Sequence, residues 1–246
     1  MDQPINHDAS KDSGDFMQAL KEADADARMG FVRKVYSILA AMLFVTFGFT
    51  AVVKTVPSLN EGIYDMWYIA IPALIIEISI FCTLICCKHV ARKTPTNYIF
   101  LGIFTLCWTF LIGWICSAYD AGVVLMAAGM TAIITVSLSI YACFTKTDFT
   151  VLCGPFLCWG LLLIIAISMT LSLLSMIIFS FTETWYPFAT GFAIIIYGLY
   201  LIIDTQLIVG GGRHSLSIDD YIIGAMILYM DIIYLFLKLL ELFGRR

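Results

Sequence analysis

The sequence predicts an all-α polytopic membrane protein of seven transmembrane helices. Three observations carry this. The 246 residues are 61% hydrophobic and only 13% charged, against about 45–50% apolar and about 25% charged in an ordinary soluble domain. Mean hydropathy is +0.94. The apolar residues are also gathered into stretches long enough to cross a ~30 Å hydrocarbon core, which takes ~20 residues per helix. This composition excludes a soluble enzyme, a disordered chain and a secreted disulfide scaffold. The net charge of −4 supplies no basic field for nucleic acid.

The first 30 residues carry seven acids (Asp2, Asp8, Asp12, Asp15, Glu22, Asp24, Asp26) against Lys11, Lys21 and Arg28. No apolar run follows a basic start, so no cleavable leader is expected. This stretch reads as an acidic, disordered cytosolic tail. Residues 31–246 form the seven-helix transmembrane domain, whose first span is its own targeting signal. The spans run from about Val35 to Val53, Trp67 to Cys87, Tyr98 to Ala118, Ala121 to Phe144, Val151 to Phe179, Tyr186 to Val209 and Ile218 to Phe243. Spans three and four are joined by little more than Tyr119 and Asp120, which makes a tight hairpin. Pro72 and Pro155 are places where spans two and five can bend.

Lys and Arg in short loops set orientation. Arg28, Arg33 and Lys34 precede span one, Lys88, Arg92 and Lys93 follow span two, and Lys146 and Arg213 lie in the later alternate loops. The opposite loops hold only Lys54. The N-terminus is therefore expected in the cytosol. Arg245 and Arg246 fall on the other side if all seven spans cross, or in the cytosol if one is re-entrant.

An ionisable group deep in a span costs ~2.5–3.5 kcal/mol on insertion scales, so Glu77, Asp204 and Asp231 need a reason. Lys238 and Glu241 lie near the end of span seven, where snorkelling accounts for them. Asp204 lies five residues before Val209, about 8 Å from that helix end, and Asp231 lies about 20 Å past Ile218. Their depths match if helix seven starts outside the lipid. Ser217 is a suitable cap there, with Asp219 and Asp220 in the first turn, where the dipole favours acids.

If Asp204 and Asp231 face each other, two charges at 4 Å repel by ~4 kcal/mol at an effective dielectric of 20. The pair would then share one proton and titrate as a unit. The shared proton ties helix six to helix seven, and its loss drives them apart. That is a pH-set gate, and separated carboxylates are oxygen ligands for a passing Ca²⁺. The alternative is that each aspartate bonds a nearby Tyr, Thr or backbone group.

The run Tyr200-Leu201-Ile202-Ile203-Asp204-Thr205-Gln206 resembles a "YDTQ" sixth-helix motif. The run Asp219-Asp220-Tyr221, followed by Leu228-Tyr229-Met230-Asp231-Ile232-Ile233, resembles an "EEY…LYLDII" seventh helix. Residues 28–39, Arg28-Met29-Gly30-Phe31-Val32-Arg33-Lys34-Val35-Tyr36-Ser37-Ile38-Leu39, resemble the start of the same family. These are the marks of the Bax-inhibitor-motif, or lifeguard, family, with the start most similar to its Golgi anti-apoptotic branch. The resemblance runs from about Arg28 to Phe243. It implies a central seventh helix wrapped by the others, a pH-sensitive Ca²⁺ leak from stores and suppression of apoptosis. It also implies a di-aspartyl sensor at Asp204 and Asp231, a Golgi or endoplasmic reticulum membrane, and calcium-release channels or apoptosis regulators as partners. Two departures stand out. Tyr234 replaces the Asn that follows "DII" in many relatives, and the Arg that bacterial members carry in helix two is missing. Only Glu77 is charged in that span.

Glu77 reads as a possible third pore acid, or as an acid hydrogen-bonded between helices. Thr131, Thr135 and Ser139 form a stripe at helical spacing on span four, and Ser168, Ser172 and Ser175 one on span five. Such residues more often bond their own helix or a neighbour than line a path. Gly210, Gly211 and Gly212 form a possible hinge. They lack the Lys-Ser/Thr of a phosphate loop. Most cysteines read as small buried apolar residues, but Cys86 and Cys87, beside Lys88, are candidates for palmitoylation. No nucleophile–base pair or metal spacing is present, so no enzyme and no cofactor are expected; Ca²⁺ and protons are the expected cargo and signal. Two other functions compete: a non-conducting membrane scaffold, and a retinal protein. The last fails because Lys238 lies too near the helix end and span three offers no acid as counter-ion.

Overall fold

The computed structural model describes residues 7–150, 186–210 and 214–244, and every regular element among them is a helix. In chain order these are α1 (His7–Thr55), α2 (Pro57–Asp65), α3 (Trp67–Cys86), α4 (Lys88–Arg92), α5 (Thr96–Ser117), α6 (Ala121–Phe144), α7 (Tyr186–Val209) and α8 (Tyr221–Phe243). Six of them are long and apolar enough to cross a membrane. The span expected over 151–179 lies outside the described residues.

Burial separates α8 from the rest. Of its most apolar 18-residue stretch, 78% is buried inside the protein, against 17–50% for the other five. A helix that is apolar all round and covered all round is a core helix, and α8 is the axis of this one. The others present large apolar side chains outward, such as Phe44, Leu125 and Phe144 at 75–83% exposure. In a bilayer these face lipid rather than water.

Both ends of the bundle are fixed by polar contacts. At one end, Arg28 of α1 reaches the end of α7, and the Arg92 guanidinium forms a bidentate pair with Asp220, Nε–Oδ1 2.7 Å and Nη2–Oδ2 2.9 Å. There Lys34 also lies 3.3 Å over the Tyr221 ring. At the other end Lys54 Nζ donates to Tyr119 O at 2.6 Å and to Asn60 Oδ1 at 3.1 Å. Gly244 packs so closely on the Tyr119 ring that a Cβ there would collide with it. So α8 runs from the Arg28 end to the Lys54 end.

Four local readings differ from the structure. First, α1 begins at His7 with no break at residue 30, where a disordered tail was expected. No proline lies between Pro4 and Pro57, and Gln18 donates to Glu22 one turn on at 3.0 Å, a spacing that supports helix. Second, α8 starts at Tyr221 rather than Ile218. Its capping position is Asp220, and Ser217 makes no side-chain cap. Asp220 instead holds Arg92, so it is more than a helix-start residue. Third, α2 and α4 are short helices that the span count passed over; Pro57 at the first position of α2 fits its fixed φ. Fourth, Lys238 and Glu241 pair with each other at 2.8 Å rather than reaching outward singly. α3 continues as helix through Pro72.

Candidate functional site: two aspartates on the α7–α8 seam

Among the described helices α7 and α8 share the longest contact. Three pairings fix their register. The Tyr197 and Tyr234 rings stack at 5.4 Å and 16°. The carboxyls of Asp204 and Asp231 lie within hydrogen-bonding reach of each other. A Cβ on Gly224 would sit 3.4 Å from Ile208. As one residue number falls the other rises, so the helices are antiparallel. Tyr197 and Asp204 are seven residues apart and share one face of α7, while Asp231 and Tyr234 lie one turn apart on α8. The close approach at Gly224, where Val35 of α1 also sits at 3.4 Å, lets the three helices meet.

Asp231 is buried and Asp204 half-buried. Neither is in an ion pair among the described residues. Asp231 Oδ2 is a buried oxygen that receives no N–H or O–H. Its neighbour is another carboxyl, and two ionised carboxylates are both acceptors. A hydrogen bond across the pair therefore requires a proton on one of them.

Hydroxyls and rings hold the seam from behind. Tyr229, fully buried, meets Thr46 Oγ1 at 2.7 Å, and Thr46 meets Thr109 Oγ1 at 3.1 Å. This network joins α1, α5 and α8 two residues before Asp231. Phe104 lies edge-on to the Tyr229 ring at 6.1 Å.

Glu77 belongs to the same core but not to the pair. It is 4% exposed, and its Oε1 accepts from Trp108 Nε1 at 3.1 Å. The Trp108 ring meets Tyr234 edge-on at 5.6 Å and 86°. Trp108 and Tyr234 thus connect Glu77 to the seam. Tyr234, the residue that departs from the family pattern, is the joint of this aromatic row. The missing basic partner of helix two is not replaced by any ion pair to the aspartates among the described residues.

Arg28 is the residue that sequence reasoning undervalued. Its guanidinium donates to Leu207 O at 3.0 Å, Val209 O at 3.3 Å and Leu216 O at 2.5 Å. Two of these carbonyls, Leu207 and Val209, lie in the last turn of α7, where a cation is favoured, and the third lies on the chain leading into α8. Beside it Gly210 has φ +80°, and a Cβ there would meet Arg28 Nε at 2.7 Å. Only glycine combines that backbone with that approach. Gly211 and Gly212 lie outside the described residues. A basic residue before a first span reads only as a topology signal; its carbonyl partners are some 180 residues away in sequence.

The polar stripe of α6 divides. Thr131 bonds back to Ala127 O at 2.7 Å, while Thr135 Oγ1 is buried with no partner. The stripe expected over Ser168, Ser172 and Ser175 falls outside the described residues. Among the described residues no group of three or more His, Cys, Asp or Glu converges as a metal site.

The fold and site define a polytopic helical membrane protein with a carboxyl pair on the seam between its central helix and α7. The profile of the family described as inhibitor of apoptosis-promoting Bax1 matches residues 28–246. The chain is 32% identical to protein lifeguard 3 of Mus musculus and 33% identical to that of Homo sapiens, each over 91% of this chain and 71% of the relative. It is 34% identical to protein LIFEGUARD 1 of Arabidopsis thaliana, over 90% of this chain and 91% of the relative. The chain belongs to the Bax inhibitor, or lifeguard, family.

Proposed function

We propose that this protein is a pH-sensitive Ca²⁺ leak of an intracellular membrane, Golgi or endoplasmic reticulum, which lowers store Ca²⁺ and thereby suppresses apoptosis. One observation carries the reading: two carboxyls meet inside the bundle with no donor between them. With one proton the pair is a tie across the α7–α8 seam. Without it, two like charges at close range repel in a poorly screened site. The tie then becomes a wedge, and the freed oxygens face the path. Two carboxylates fall short of the six to eight oxygens of a lasting Ca²⁺ site, which suits passage rather than storage. Gly210, at the end of α7, is the joint about which the seam opens. Glu77 is the acceptor that holds Trp108 against Tyr234.

The test is purified protein in liposomes loaded with a Ca²⁺ dye. Flux should rise as pH rises through the pair's titration, and Asp204→Asn or Asp231→Asn should flatten the profile. Unchanged pH-dependent flux in both variants removes the pair from the mechanism. No flux at any pH, with protection of stressed cells retained, replaces the leak by a non-conducting scaffold acting on calcium-release channels or apoptosis regulators.

A further inference from the structure

We propose that the vicinal thiols Cys86 and Cys87 form an S-acylation site at the cytosolic rim of the bundle. The described cysteines are all free: Cys116 is buried, Cys82 and Cys107 are half-buried, and Cys86, Cys87 and Cys143 are exposed, of which only Cys86 and Cys87 are adjacent. Cys86 is the last residue of α3, and at Cys87 the helix breaks, with φ −106° and ψ 74°. Both thiols therefore stand at the corner where a lipid-facing helix leaves the membrane. Lys88, His89, Arg92 and Lys93 follow within seven residues of Cys86, all exposed.

The structure also sets the side. Arg92 grips Asp220 at the head of α8, so this corner lies at the Arg28 end. Arg33, Lys34, Lys88, Lys93 and Lys146 gather there, while Lys54 stands at the other end. Basic residues flanking short loops mark the cytosolic face, where acyl-coenzyme A is available. Juxtamembrane cysteines on that face are the usual acceptors of reversible acyl chains. The lipid-facing surface of α3 supplies the route for the chain. Ile71, Ile75 and Ile78 are 60%, 60% and 38% exposed, and at helical spacing they form a stripe that Cys82 and Cys86 continue.

The chemistry balances without a redox partner. A membrane acyltransferase passes a long-chain acyl group from acyl-coenzyme A to sulfur. The cysteine thiolate attacks the thioester carbonyl, the new S–C bond forms as the old one breaks, and coenzyme A leaves as a thiol carrying the proton the cysteine gave up. The product anchors α4, five residues long, between the acylated corner and the Arg92–Asp220 clamp. It thereby holds the head of α8 at the interface.

The experiment uses the full chain expressed in cells. Free thiols are blocked, thioesters are cleaved with hydroxylamine, and the thiols released are tagged with polyethylene-glycol maleimide. Wild type should show a hydroxylamine-dependent mass shift, Cys86→Ser and Cys87→Ser should each reduce it, and the double variant should abolish it. Cys86→Ala/Cys87→Ala, with an alkyne fatty acid as label, guards against a folding effect of serine at the rim. Cys143→Ser, at the other exposed described cysteine, should leave the shift intact. No shift in wild type, persistence in either double variant, or loss in Cys143→Ser overturns the assignment. So does a shift released by reductant alone, which would mean a disulfide.

Discussion

Two acidic sites lie in the core of this bundle, on either side of the Trp108–Tyr234 contact, and they follow opposite hydrogen-bonding logic. Glu77 is buried and has a donor, the Trp108 indole N–H at 3.1 Å. Asp204 and Asp231 have each other and an oxygen with no donor at all. The first arrangement keeps its donor whether or not the carboxyl carries a proton, because the indole N–H can bond an oxygen of either form. The second is satisfied only with a proton, so its geometry depends on pH. Burial alone does not make an acid a sensor. What matters is whether the partner is a fixed donor or a second acceptor.

The sharpest way to break this contrast is to give the pair a permanent donor. In Asp231→Asn the amide N–H donates to Asp204 at every pH, so the tie no longer depends on a proton. Flux should be low and flat. The wild-type swing it removes is up to about a thousandfold in the open–closed ratio, if ~4 kcal/mol of repulsion drives opening. The next effect is at Glu77. Glu77→Gln keeps an oxygen for Trp108 and should leave flux and its pH profile within about twofold. Glu77→Ala leaves the indole N–H unpaired in the core and should cost about 1–3 kcal/mol by thermal or denaturant unfolding in detergent. A tenfold loss of flux in Glu77→Gln would make Glu77 a pore acid instead.

Most of this fold is legible in the sequence because a membrane writes its constraint in composition. Span boundaries at Trp67, Ala121, Phe144, Val209 and Phe243 coincide with helix ends in the structure, since apolar runs stop where lipid stops. The presence of acids that need explaining is legible for a related reason: charges inside spans are costly, so each must have a partner or a task. What stayed hidden is what hydropathy cannot encode. Arg28 and Asp220 look like ordinary end-of-helix residues, and their partners are far away in the chain. Acidic composition near the start of α1 also says little about helix formation there, which depends on local pairs such as Gln18–Glu22. The donor to Glu77 came from an indole, a residue that sequence reading takes as core.

The smallest effects come from loosening one site's frame and leaving the other's alone. Arg28 bonds the end of α7 five residues past Asp204, about 8 Å along the helix, and among the described residues its hydrogen bonds go to Leu207, Val209 and Leu216, not to the α3–α5 pair that carries Glu77 and Trp108. Arg28→Ala leaves three carbonyls without their charged donor. Because the guanidinium is only part-buried, the cost should be about 1–2 kcal/mol. Hydrogen exchange should quicken over the last turn of α7, while amides around Trp108 keep their protection. Gly210→Ala tests the same frame more gently. It places a Cβ at φ +80° against the Arg28 guanidinium, and strain of that kind costs about 1 kcal/mol. If Arg28 and Gly210 act as one cap, the double variant should cost less than the sum of the two singles, because the side chain the Cβ would strike is already gone. Full additivity would mean that the backbone alone sets the cost at Gly210.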